Sequence, residues 1–325
     1  MSVACPVFGD LSYLFLASEA AFGTQDASPD YTYLPVLNYA VEMSREDRDP
    51  MPYTGMAQKY DKIANVHRHA AGPLSTALYG WRTGDATISL AEYVMAWAFT
   101  DLDLLCGLPS KTAQWHEGGS AANLANQKHL GLTVNSATLA GSDENGASIT
   151  LNLDCLGSDE TSLTTAQTIP TDLERLNEFL FTDSTFSIGP DSGSLVAVQW
   201  KGFTWQQQRN LTPVFNGSKT PRFFRPGAPN ATFEYQIEKA DATWDAIARG
   251  TVKNEYFGRM VLKGLHNGTG DTGNYAQVTI DFPKLQFNGK KDTLPRSGPA
   301  TQAITFEIQK PNTEDPSFEM TWAES

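Results

Sequence analysis

Leu132-Thr-Val-Asn-Ser-Ala-Thr-Leu139 reads against Val278-Thr-Ile-Asp-Phe-Pro-Lys-Leu285, and Ala147-Ser-Ile-Thr-Leu-Asn-Leu-Asp154 reads against Gln302-Ala-Ile-Thr-Phe-Glu-Ile-Gln309. These stretches largely alternate apolar and polar residues, the period of a strand with one buried face. The matched pairs lie close to half the chain apart, so the second half repeats the first in outline. The outline predicts a mainly β protein. It consists of two tandem antiparallel β-sandwich or partial-barrel units, each with one packed helix.

Outward from these strands the chain divides as follows. Residues 1–33, rich in Ala, Ser and Asp, read as an extended N-terminal arm. The first unit, 34–157, opens on a strand at Leu34–Val41, makes a long polar loop at 44–65 and returns through Val66–Leu74. A helix follows, because Ser89 and Glu92 have capping-box spacing and Leu90, Tyr93, Val94 and Trp97 share one helical face. Strands at 129–140 and 147–155 close this unit across a turn containing Asn145-Gly146. Residues 158–190, rich in Ser, Thr and Asp with a short helix candidate after Thr171, read as a linker. The second unit, 191–325, repeats the order. A strand at Leu195–Trp205 leads to a long loop at 206–230 and a strand at Thr232–Ile237. Trp244–Arg249 reads as a helix between Asp241 and Gly250, with strands at 256–263, 276–287 and 303–308 to finish.

Composition narrows the function. The 325 residues are 40% hydrophobic and 11% aromatic, which is enough apolar material for folded cores. With 37 acidic against 24 basic residues the net charge is −13, which argues against a groove that holds nucleic acid by neutralising phosphates. The three cysteines, Cys5, Cys106 and Cys155, have no C-x-x-C spacing and read as buried free thiols of a reducing cytosol. Leu11–Ala17 is apolar but is preceded by Asp10 with no Lys or Arg upstream, so no export signal is read. No stretch approaches the roughly 20 apolar residues of a membrane helix.

Catalytic and binding chemistry finds little to work with. Pro190-Asp-Ser-Gly-Ser-Leu-Val196 resembles the nucleophile segment of chymotrypsin-like serine proteases, with Ser192 as the nucleophile. Pro190 stands where that family has glycine, and His67, His69, His116 and His129 lack its Ala-Ala-His-Cys context, so the segment reads as a turn. His67 and His69 share a strand face but no third ligand lies nearby. No phosphate-binding glycine loop occurs. Trp200, Phe203 and Trp205 would suit a sugar platform, yet such a run more often fills a core or an interface. The chain is therefore read as non-enzymatic, with no catalytic residue, metal or cofactor. A capsid-decoration or carbohydrate-binding sandwich stands as the alternative and an enzyme as the third choice.

The chain resembles the tail tube (major tail) proteins of long-tailed bacteriophages. The resemblance rests on Glu19-Ala-Ala-Phe-Gly-Thr24, on Val66–Gly72 after the charged loop, on Leu132–Gly157, and on the order of strand, loop and helix from Leu195 to Arg249. It implies units of tail-tube type that build rings stacked into a hollow tube. The rings would hold three duplicated subunits with pseudo-sixfold symmetry, or six subunits. It further implies tail terminator, tape measure and distal tail proteins as partners. DNA would pass the lumen without specific binding, and no membrane would be involved. The location is the virion tail after synthesis in the host bacterial cytoplasm. The two long loops would then reach an adjacent ring. Arg45, Glu46, Asp47, Arg48 and Asp49 supply alternating charges in the first, and Arg222, Phe223, Phe224 and Arg225 supply hot-spot chemistry in the second.

Overall fold

A computed structural model of the chain describes residues 13–48, 63–80, 89–101, 108–116, 126–143, 148–163, 167, 178–238, 254–264, 276–293, 300–312 and 314–324. The described residues are mainly β, with one α-helix against a large antiparallel sheet.

The N-terminal half contributes β1 (Tyr13–Ala21), β2 (Thr24–Gln25), β3 (Thr32–Leu34), β4 (Asn38–Tyr39), β5 (Glu42–Arg48) and β6 (Ile63–Ala77). Helix α1 (Leu90–Ala98), β7 (Lys111–His116), β8 (Gln127–Ser142), β9 (Thr150–Gly157) and β10 (Asp159–Ser162) follow. Strand β8 is long enough to serve two neighbourhoods. Its first part pairs with β7 and β10, and its second part pairs with β9. β9 continues to β6, and β6 to β5.

The remainder contributes β11 (Phe179–Gly189), β12 (Val196–Val198), β13 (Trp200–Gln208), β14 (Thr212–Val214), β15 (Phe223–Arg225), β16 (Asn230–Glu238), β17 (Glu255–Gly264), β18 (Ala276–Thr293), β19 (Thr301–Ile308) and β20 (Glu319–Glu324). Here the halves join, because β13 pairs with β8 from Gly202↔Ser142 to Gln208↔Ser136. From β13 the ladder runs through β16, β19, β18 and β17 to β11. It then returns to the start of β9: Leu180 bridges Ser148, and the Ile149 amide donates to the Phe179 carbonyl at 2.9 Å. The strands thus form a closed circuit. Its interior is filled rather than hollow. Phe203, Phe233, Phe282, Phe306, Trp205 and Tyr235 are almost wholly buried, with Phe233 centred 5.1 Å from Phe282 and Tyr235 5.9 Å from Phe306. Each such ring withdrawn from water contributes roughly 2–3 kcal/mol. Buried apolar residues from both halves make one continuous cluster.

Helix α1 forms where the capping pattern places it. The Ser89 hydroxyl accepts from the Glu92 amide at 3.2 Å, and Leu90, Val94 and Trp97 are buried. At its far end Phe99 stacks on Trp205 at 3.8 Å. The buried Arg209 guanidinium donates to the carbonyls of Ala98 at 2.8 Å and Val134 at 2.9 Å. Burial pushes its pKa down to about 10. The oriented carbonyls at the helix C-terminus offset the cost of sheltering that cation.

Several expectations differ from the structure. The arm expected at 1–33 carries β1 and β2 among its described residues. Leu14, Phe15, Leu16 and Ala17 are buried because β1 lies between β3 and β7. The linker expected at 158–190 carries β10 and β11. The strand expected at Leu34–Val41 is broken at Pro35 into β3 and β4. The loop expected at 44–65 begins later, since β5 runs to Arg48. The loop expected at 206–230 contains the β14–β15 hairpin. The repeated hairpins β8–β9 and β18–β19 both exist, but they pair differently. Leu139 sits opposite Leu151, whereas Leu285 sits opposite Ile308. The helix expected at Trp244–Arg249, the candidate after Thr171 and the Asn145-Gly146 turn lie outside the described residues.

Candidate assembly surface

The described start of the first loop expected to make inter-ring contacts lies in the β5–β6 hairpin. In β5, Arg45 lies opposite Arg68 and Glu46 opposite His67, with Arg45 and Glu46 exposed. The side chains of Asp47 and Arg48 and all of Asp49 lie outside the described residues. Two like charges directly across a ladder repel. Arg68 instead reaches Asp159 on β10 at 3.0 Å. The second loop leans onto this same hairpin. The Arg68 amide donates to the Lys219 carbonyl at 2.8 Å, and the His67 ring stacks on Phe215 at 3.9 Å while its Nδ1 lies 3.5 Å from Glu46 Oε2.

The second loop is itself built. Thr212 to Val214 pair with Arg225 to Phe223, and the turn between them uses Asn216 and Gly217 with φ of 43° and 78°. That left-handed pair makes a local turn within the eight-residue connection, closed by the Ser218 amide donating to the Phe215 carbonyl at 2.8 Å. Alternation along β15 then separates the four residues named from sequence. Phe224 turns inward and packs edge-on against Phe22 at 5.4 Å, whereas Arg222, Phe223 and Arg225 face outward.

Beneath β15 lies a node that sequence reasoning did not identify, although it quoted the segment Glu19–Thr24. Both carboxylate oxygens of Glu19 accept two hydrogen bonds. Oε1 takes the Gly131 amide and the Thr112 hydroxyl, each at 2.8 Å. Oε2 takes the Gly23 amide at 2.9 Å and the Ser110 hydroxyl at 2.6 Å. Gly23 and Gly131 both adopt left-handed φ, 68° and 66°, and a Cβ on either would lie 2.9 Å from Ser158 Oγ. The node therefore locks the end of β1 to β7, β8 and the start of β10. Between it and β15 opens a cavity of about 440 Å³.

The residues weighed for chemistry are spread out. Ser192 is exposed in the turn after β11, where Asp191 accepts from the Gly193 amide at 2.9 Å. No histidine is hydrogen-bonded to Ser192 among the described residues. His67 and His69 lie in β6, His116 in β7 and His129 in β8. Among the described residues no three metal-ligating side chains converge. Trp200, Phe203 and Trp205 pack inward, Trp200 stacking on Phe203 at 5.0 Å and Trp205 being fully buried. Cys155 is a buried free thiol whose pKa burial drives well above the ordinary range, while Cys5 and Cys106 lie outside the described residues. No helix among the described residues is long and apolar enough to cross a membrane.

Among the described residues β5 pairs only with β6, β12 only with β11 and β20 only with β18, and the short strands β2, β3, β4, β10, β14 and β15 likewise pair on one side only. Such edges are templates for pairing with another chain. No protein-family model matches the chain, and no curated protein matches it.

Proposed function

We propose that this chain is a structural virion protein, a tail tube subunit whose copies form rings that stack into a conduit for phage DNA. The observation that carries this reading is the set of open edges on an otherwise closed and filled body. The circuit of strands is packed with aromatic rings, so a passage for DNA must lie between copies, and β5, β12 and β20 offer backbone to neighbours. The net charge of −13 suits a wall past which DNA slides by repulsion. Three duplicated subunits or six would complete a ring. Tail terminator, tape measure and distal tail proteins would meet its ends.

Purified full-length protein, concentrated stepwise and imaged in negative stain, is expected to give rings or tubes about 10 nm wide, the scale of six β units around a bore. Sedimentation should show mass rising with concentration. A single monomeric species throughout, with no rings on the grid, would reject the proposal.

A further inference from the structure

The cavity under β15 has apolar walls of Ala20, Ala21, Phe22, Leu108, Pro109 and Phe224, with Phe223 and Arg225 also lining it. Glu19 lines it too, but its two oxygens are fully engaged by its own chain, so the free charge there is Arg225. Arg222 and Arg225 are exposed, and neither has an ion-pair partner among the described residues.

Elsewhere, few large apolar side chains are left in water. Among the described residues they are Phe223, 42% exposed, Leu37, 62% exposed, and Val196, 69% exposed. Phe223 belongs to the cavity itself. Val196 stands on the open edge strand β12, next to a turn whose Asp191 is exposed and has no cation partner among the described residues. Leu37 lies in the connection between β3 and β4, where its own amide already donates to the Ser75 carbonyl at 2.7 Å, rather than on a strand with an open edge. The hairpin of β11 and β12 therefore offers an apolar knob with an acid in its turn, and the cavity offers an apolar hole with Arg225 on its wall and the exposed Arg222 three residues before it in sequence. A knob and a hole on different parts of one molecule produce a head-to-tail contact that repeats from copy to copy.

We propose that the cavity beside β15 receives the β11–β12 hairpin of a second copy of this chain, with Val196 entering between Phe22 and Phe223 and Asp191 meeting Arg222 and Arg225. The inference rests on the self-assembly reading and adds to it which surfaces touch. The five residues that would change in its test, Val196, Asp191, Phe223, Arg225 and Leu37, are exposed, so their replacement leaves the core intact.

Full-length Val196→Cys and Phe223→Cys chains, mixed in equal amounts and mildly oxidised, are expected to give a disulfide-linked dimer on a non-reducing gel well above either variant alone. Arg225→Glu should raise the concentration at half-assembly about tenfold, the scale of one lost interfacial charge pair, and adding Asp191→Arg to the same chain should restore it. Rings or larger oligomers that form without the mixed cross-link, or an Arg225→Glu chain that assembles like the parent, overturn the contact and leave self-assembly standing. A cross-link of Phe223→Cys with Leu37→Cys instead overturns the choice of occupant. A parent chain that stays monomeric overturns both proposals.

Discussion

At Glu19 the two backbone donors approach different oxygens, Gly131 on Oε1 and Gly23 on Oε2, each beside a hydroxyl. A hydroxyl can rotate and accept, but a backbone amide cannot. Glu19→Gln must turn its NH2 toward one of the two glycine amides whichever way the group flips, and we expect a loss of about 1–3 kcal/mol in denaturant unfolding. Unchanged stability would show that the node is dispensable. His129 makes a second residue-scale case. It is fully buried, its Nδ1 lies 2.6 Å from the Tyr39 hydroxyl, and burial lowers its pKa from 6.5 to about 4. The unfolded chain takes up the proton near pH 6.5 while the folded chain resists until about pH 4. The contribution of neutral His129 is thus whole above pH 6.5 and is lost as pH falls toward 4. The stability difference between the parent and His129→Gln should therefore shrink by on the order of 3 kcal/mol from pH 7 to pH 4. A difference that stays constant with pH would refute this. Neither role was legible in the sequence, because the partners of Glu19 reach as far as 112 residues away. The candidate pair Phe223 and Phe224 was visible, but their opposite facing depends on the β14–β15 pairing, which composition does not reveal.

Elements were legible in proportion to how local their causes are. Helix α1 could be read because its cap and its apolar face lie within eleven residues, Ser89 to Phe99. Its Trp97 is 1% exposed within the shared core, so Trp97→Ala should cost about 3–5 kcal/mol by lost burial and the cavity left behind. A loss under about 1 kcal/mol in chemical denaturation would mean the surroundings collapse to fill the space. Strands β8, β13, β16, β17, β18 and β19 could be read from alternation. β1 could not, since covering on both faces makes Leu14-Phe15-Leu16-Ala17 apolar without a period. β7 hid for the opposite reason. Its Lys111, Gln114 and His116 are buried polar residues, and Lys111 is held by Ser18 at 2.9 Å and by the Tyr93 ring at 3.7 Å. In β11 a register shift between Leu180 and Thr185 breaks the alternation, so its Thr, Asp and Ser residues looked like a linker.

For the molecule as a whole, the repeat in sequence and the wholeness of the structure coexist. Hairpins recur in both halves, but the halves are sewn together by the pairing of β8 with β13 and by the return of β11 to the start of β9. Across that seam Phe99 stacks on Trp205, and Arg209 satisfies carbonyls of α1 and β8. A chain ending at residue 157 would lose the β13 partner of β8 and the Trp205 ring stacked on Phe99. It would also leave the carbonyl groups of Ala98 and Val134 without Arg209. Half-barrels with an open hydrophobic edge associate or stay molten rather than fold. We therefore expect residues 1–157 and 158–325, made separately, to lack cooperative melting by near-ultraviolet circular dichroism, and the intact chain to melt in one transition. Complementation of the two pieces on mixing would agree with this account. Two independent sharp transitions, one from each piece at its own temperature, would show instead that each half closes its own core and that the seam contributes little.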